Sequence, residues 1–238
     1  FDRSMPEEIN RLVTDSLSDL LFVTEASGLK NLQHEGVQSD KIFFAGNIMI
    51  DSLIGNLKVA RKSDILDSLS LKPGTYAVLT LHRPANVDNV KILSDLLGTL
   101  NKLSRKIPII FPCHPRSKDK LMKFGLAAKA DETALKIIQP LGYIEFLKLL
   151  CEAKFVLTDS GGIQEETTFL KIPCLTLRNN TERPITVEIG SNTITGTDSA
   201  KIFATANRVL KGQYKDGAIP ELWDGKTSKR ITDILKKI

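Results

Sequence analysis

Three stretches of this chain share one construction, and it leaves few folds open. Thr75-Tyr76-Ala77-Val78-Leu79-Thr80-Leu81 is a largely continuous apolar run that ends in His82-Arg83-Pro84. A long segment follows with apolar residues at helical spacing: Val90, Ile92, Leu93, Leu96, Leu97, Leu100 and Leu103. Pro108 to Cys113 repeats the pattern, ends in His114-Pro115-Arg116 and leads to a helix running from about Ser117 to Phe124. Phe155-Val156-Leu157 repeats it again, through Thr158-Asp159-Ser160 and two glycines, with helical spacing from Ile163 to Leu170. A short strand apolar on both faces needs cover on both faces, as a parallel sheet between helices supplies. The alternation therefore predicts an α/β fold, a doubly wound parallel sheet of Rossmann-like type. Open sheets of that kind bind ligands outside the C-terminal strand ends, so the residues at those ends are the candidates for contact.

The third stretch carries the strongest signal. Gly161 and Gly162 have no side chains, so a ligand can approach the main chain while the first unbonded N–H groups of the following helix point at it. An anion suits such a turn. The next apolar run, Ile172 to Leu177, delivers Arg178 and Thr181-Glu182-Arg183 to the same rim. Ser160 fails the nucleophile-elbow pattern, because the glycine expected two residues earlier is Thr158. Glu165 and Glu166 either complement the helix dipole or face the ligand. His82 and His114 occupy matching positions beside arginines, which favours ligand contact over a purely structural role for the pair. Tyr143, at a loop edge after Pro140-Leu141-Gly142, is placed either to stack on a base or to be a half-buried aromatic.

The rest of the chain extends the alternation. A helix starts near Pro6, with Glu7 and Glu8 at its positive end and a stripe of Ile9, Leu12, Val13, Leu17 and Leu20. Strands are expected at Leu21–Thr24, Ile42–Gly46, Leu135–Ile138 and Asn192–Thr195, with Asn47 and Ser199 as helix caps. Arg61 to Gly74 reads as a polar connection, and Ser228 to Ile238 as a final helix with a lysine-rich outer face.

Composition excludes several classes of function. The net charge of +5 is spread along the chain with few aromatics beside it, which argues against a nucleic-acid partner and suits a polyanionic small ligand. Cys113, Cys151 and Cys174 form no C-x-x-C pair, and His34, His82 and His114 show no metal-ligand spacing, so neither zinc nor another cofactor is expected. No apolar run approaches a bilayer span and no signal peptide opens the chain, so a cytoplasmic protein without a membrane partner is expected.

The motifs T-D-S-G-G-I-Q-E-E and R-N-N-T-E-R-P, with H-R-P, H-P-R and an opening M-P-E-E-I-N-R, resemble the non-hydrolysing UDP-N-acetylglucosamine 2-epimerases. The resemblance covers essentially the whole chain. It implies the second domain of a GT-B type fold at residues 47–238, with a C-terminal crossover helix, preceded at 1–46 by the tail of a first Rossmann-like domain. It implies UDP and a UDP-N-acetylhexosamine as small-molecule partners, and is compatible with a homodimer.

Position by position, the resemblance implies that Ser160, Gly161 and Gly162 bind the diphosphate and Glu166 the ribose hydroxyls. Arg183 and His82 would also contact the diphosphate. Phe146 matches an aromatic close to the base, and equally reads as a core residue of its own helix. Glu7 matches a carboxylate implicated in catalysis together with His82; His114, Arg116 and Tyr143 remain candidates from the residues themselves. The implied chemistry is elimination of UDP across C1–C2 and its re-addition with inversion, with carboxylates moving the C2 proton. With most of a first domain absent from the sequence, this polypeptide alone is expected to bind UDP weakly and turn over poorly. A GT-B glycosyltransferase, a hydrolysing epimerase and a non-catalytic binding module are the competing readings.

Overall fold

A computed structural model describes residues 6–127 and 134–237; Met5 and Ile238, named above, lie outside that range. The chain divides into two compact units, Phe1–Ser52 with Pro220–Ile238, and Leu53–Ile219. No described helix is long and apolar enough to cross a membrane.

The larger unit meets the α/β expectation. It contains a six-stranded parallel sheet built from β3 (Ala77–Thr80), β4 (Ile109–Pro112), β5 (Leu135–Ile138), β6 (Phe155–Thr158), β7 (Cys174–Thr176) and β8 (Asn192–Ile194). The spatial order is β5-β4-β3-β6-β7-β8, the order of a Rossmann sheet. Alternate residues of each strand feed opposite layers, as period-2 geometry requires. Ala77, Leu79, Ile109, Phe111, Phe155 and Leu157 face one core with α6 (Val90–Ser104) and with α11 (Ser199–Leu210), which comes after the short α10 (Pro184–Glu188). Val78, Ile110 and Val156 face the other, where α8 (Tyr143–Cys151) contributes Leu149 and Leu150 and α9 (Gly161–Leu170) contributes Ile163. Helices on both faces explain why these strands read as unbroken apolar runs.

Several local expectations change. The connection from Arg61 to Gly74 contains a helical turn, α4 (Ile65–Ser68), because Leu66 is buried in the second core. Another turn, α5 (Pro84–Val87), stands between β3 and α6, with Pro84 in its first turn. α7 (Pro115–Lys123) starts two residues early for the same reason. Asp198, rather than Ser199, caps α11: its carboxylate accepts from the Lys201 N–H at 2.9 Å. Ser199 instead shares a hydrogen bond with Thr99 on α6 at 2.5 Å.

The smaller unit holds α1 (Pro6–Leu17), β1 (Leu21–Val23), α2 (Ala26–His34), β2 (Ile42–Phe44) and α12 (Thr227–Leu235), and α3 (Ile48–Ala60) straddles the division. β1 and β2 pair in parallel, and Leu21, Val23, Leu32 and Ile42 form a small core. Asn47 does cap α3, accepting from the Met49 N–H at 2.9 Å. The stripe on α1 is not buried within this unit, since Ile9, Val13 and Leu17 are exposed. Helical spacing reports an amphipathic helix and is silent about what covers it. Gly46 has a φ of 92°, and a Cβ there would run into the Leu222 carbonyl, so only glycine fits.

Candidate functional site

The site forms where the strand order turns over. β3 and β6 are neighbours at the centre of the sheet, but the chain leaves β3 toward β4 and leaves β6 toward β7, on opposite sides. The loops beyond the two strands therefore diverge and open a crevice. Thr80 and Thr158 end the strands in register, with their hydroxyls 2.5 Å apart. Above them lies a cleft of about 220 Å³ whose lining includes Leu81, His82, His114, Leu141, Phe146 and Ser160.

Asp159 organises the cleft. It is fully buried directly after β6, and one carboxylate collects the N–H groups of His82 at 3.0 Å and Arg83 at 2.8 Å and the Asn86 side-chain amide at 3.2 Å. His82 Nδ1 lies 3.0 Å from its other oxygen. Burial pushes the Asp159 carboxyl up, but the hydrogen bonds from His82 and Arg83 outweigh it and hold it below its ordinary value. An ionised Asp159 makes Nδ1 the protonated nitrogen and leaves Nε2 to act on a ligand. Nothing in the sequence reading singled out Asp159; an acid between a buried strand and a glycine turn was the available signal.

The glycine turn is the start of a helix. Ser160 is the residue before α9, and Gly161 and Gly162 are its first two residues rather than a turn preceding Ile163. The Ser160 side chain makes no capping bond, so the first N–H groups face outward without it. Glu182 stands beside this turn, and a Cβ built on Gly161 would lie 3.6 Å from its Oε2. Arg178 donates to Glu182 at 2.7 Å and Arg83 at 3.4 Å. The hydrogen bond from Arg178 holds the Glu182 carboxyl below its ordinary value. Arg183 instead donates through Nε to the buried Glu165 at 2.6 Å.

Further along α9, Glu166 is buried and accepts from the Tyr143 hydroxyl at 3.0 Å. Burial pushes its carboxyl up to about 7, the Tyr143 hydrogen bond pulls it down, and Glu165 nearby adds to the rise. Tyr143 thus presents its hydroxyl to a carboxylate. Phe146 does two jobs at once, packing on the second core and lining the cleft. His114 lines the cleft too, its ring 5.9 Å from that of His82, while its Nδ1 accepts from the Arg116 N–H at 3.2 Å. Arg116 is tied to Asp88 at 2.7 Å and is not among the cleft-lining residues. Glu7 is exposed in the first turn of α1, in the smaller unit. Among the described residues no group of three His, Cys, Asp or Glu forms a potential metal site.

Comparison with known proteins matches residues 1–236 to the family model described as UDP-N-acetylglucosamine 2-epimerase. The chain is 45% identical to the UDP-N-acetylglucosamine 2-epimerase of Methanococcus maripaludis, over 99% of this chain and 65% of that protein. The Methanocaldococcus jannaschii UDP-GlcNAc 2-epimerase, solved in complex with UDP-GlcNAc and UDP, superposes with a TM-score of 0.88 at 41% identity. That likeness covers 100% of this chain and 66% of the solved one. The Neisseria meningitidis enzyme, solved bound to UDP-GlcNAc, matches at 28% identity and a TM-score of 0.85, covering 98% of this chain and 65% of that one. The chain thus spans about two-thirds of the length of these relatives.

Proposed function

This chain belongs to the UDP-N-acetylglucosamine 2-epimerase family, and on that premise we propose that its larger unit holds the UDP portion of a UDP-N-acetylhexosamine undergoing inversion at C2. The observation that carries the reading is the Asp159–His82 pair set against the start of α9 at the switch point of the sheet. In this reading the N–H groups of Gly161 and Gly162, with Ser160, receive the diphosphate, and Arg183 and His82 approach it. Phe146 offers an apolar wall to the base. Glu166, once ionised, accepts from ribose hydroxyls in place of the water it has lost.

The chemistry asks for such a site. The C2 hydrogen has no neighbouring carbonyl to acidify it, so inversion proceeds by loss of the C2 proton and cleavage of the C1–O bond to UDP, leaving a C1–C2 double bond. Return of UDP to C1 and of a proton to the opposite face of C2 gives the epimer. UDP must leave easily and still be kept. Helix N–H groups and guanidinium ions lower the cost of the departing diphosphate. The grip on ribose and base retains it. His82, with Nδ1 held by Asp159, presents Nε2 for proton transfer at the diphosphate. Glu7 is the proposed carboxylate partner at C2, and the 1–46 and 47–238 division with a crossover helix belongs to the same reading. We place this activity in a reducing cytosol.

Calorimetric titration with UDP tests the site. Wild-type protein is expected to bind, and Arg183→Ala to bind at least about tenfold more weakly, the loss of one charged hydrogen bond to phosphate. Absence of UDP binding by the wild type would overturn the reading. Incubation with UDP-N-acetylglucosamine in deuterated water tests the reaction: deuterium at C2 of the epimer supports elimination, whereas free sugar plus UDP would mark a hydrolase.

A further inference from the structure

Resting on the nucleotide reading above, we propose that Glu182 is a placeholder for the incoming diphosphate: its carboxylate sits in the anion position at the start of α9, and ligand binding turns it aside so that Arg83 and Arg178 close on phosphate oxygens instead. Three anion-seeking groups gather around this one side chain. Oε2 lies 3.6 Å from where a Cβ on Gly161 would stand, at the first residue of the helix whose opening N–H groups favour an anion. Arg178 donates to Oε1 at 2.7 Å, and Arg83 reaches Oε2 at 3.4 Å. A helix N-terminus and two guanidinium groups around two oxygens make the arrangement of a phosphate site, here filled from within.

The occupant is a poor match for its cradle. A carboxylate brings one charge and two oxygens, whereas a diphosphate brings more of both. Arg178 shows the shortfall, because its Nη1 is buried with no hydrogen-bond partner among the described residues. Arg83 shows it as well, at a distance where a hydrogen bond is weak. A phosphate oxygen can accept what Glu182 leaves unmade.

Displacement needs only a side-chain rotation. The main chain on either side of Glu182 is tethered: Thr181 Oγ1 donates to Gln164 at 2.6 Å and accepts from the Arg183 N–H at 2.9 Å. The Glu182 side chain itself is 36% exposed. Glu182 thereby keeps the guanidinium groups in place ahead of binding and raises the threshold for weak anions, which cannot offer enough to dislodge it.

The experiment titrates inorganic pyrophosphate and uridine, separately, into wild-type protein, Glu182→Gln and Arg178→Gln. Glu182→Gln keeps the shape and removes the competing charge, so pyrophosphate is expected to bind about tenfold more tightly, the worth of one charged hydrogen bond. Uridine, which has no phosphate, is expected to bind all three alike, and Arg178→Gln to bind pyrophosphate more weakly than wild type. Pyrophosphate binding that is unchanged or weaker in Glu182→Gln, undiminished in Arg178→Gln, or absent throughout would overturn the proposal. Tighter pyrophosphate binding in Glu182→Gln, with no uridine binding to any variant, would leave the placeholder standing and remove the nucleotide reading.

Discussion

Glu166 and Asp159 are both buried acids at the ligand edge, and their surroundings drive them in opposite directions. Asp159 is surrounded by donors and stays ionised, so its contribution to stability is present above the ordinary carboxylate range and is lost as pH falls through its depressed value. Glu166 has one donor, Tyr143, and an acidic neighbour, so burial wins and its carboxyl rises from 4.5 to about 7. Between those values the folded protein holds a proton that the unfolded chain releases. The stabilising contribution is therefore complete below pH 4.5 and lost as pH rises through about 7. Glu166→Gln removes this titration. Urea denaturation at pH 5 and pH 8 should show the variant gaining on the wild type by up to about 3 kcal/mol at the higher pH. An equal difference at both pH values would show that the buried charge is not the cause. The Ser160-Gly161-Gly162 turn and the place of His82 at a strand end were legible as local patterns, whereas a ligand role for Glu166 is implied by the family resemblance alone. Asp159 and Glu182 were not singled out, because their roles depend on residues 77 and 99 positions away in the chain.

Elements were readable to within a residue or two wherever burial and spacing agreed. β3, β4 and β6 are apolar on both faces because both faces are covered, and the alternation of strand and helix left one sheet type open. Caps were harder, since Asp198 and Ser199 are adjacent and both are good cap residues. The structure divides the work between them: Asp198 caps α11 while Ser199 bonds across to Thr99. Asp198→Ala should cost about 1 kcal/mol in thermal or urea unfolding, the worth of an N-cap. A variant as stable as the wild type would show that the last-minute bond to Lys201 is not what starts the helix. α4 was missed for a different reason: a single buried leucine, Leu66, in a polar stretch has no periodicity to display.

At the level of the whole molecule, residues from the two ends of the sequence build the smaller unit together. Asp51 accepts the N–H groups of Thr227 at 3.1 Å and Ser228 at 2.7 Å, supplying from afar the cap that α12 lacks locally. Trp223, only 2% exposed, donates its indole N–H to the Thr24 carbonyl at 3.1 Å. It is the chain's one tryptophan, so its emission reports on this unit alone. Asp51→Ala should lower the urea midpoint of tryptophan emission, through a loss of about 1–2 kcal/mol of unfolding free energy, the contribution of a helix cap. An unmoved midpoint would mean that the C-terminal segment is held by its apolar contacts without the cap.

The sheet type and the glycine-led start of α9 are written in neighbouring residues, because strand burial and backbone freedom at glycine are encoded within a few positions. Which charges meet at the strand ends is set by the fold. Asp159 reaches His82 and Arg83, and Glu182 reaches Arg83, because a parallel sheet brings the ends of distant strands side by side. Electrostatic pairing acts through space, and no spacing along the chain records it.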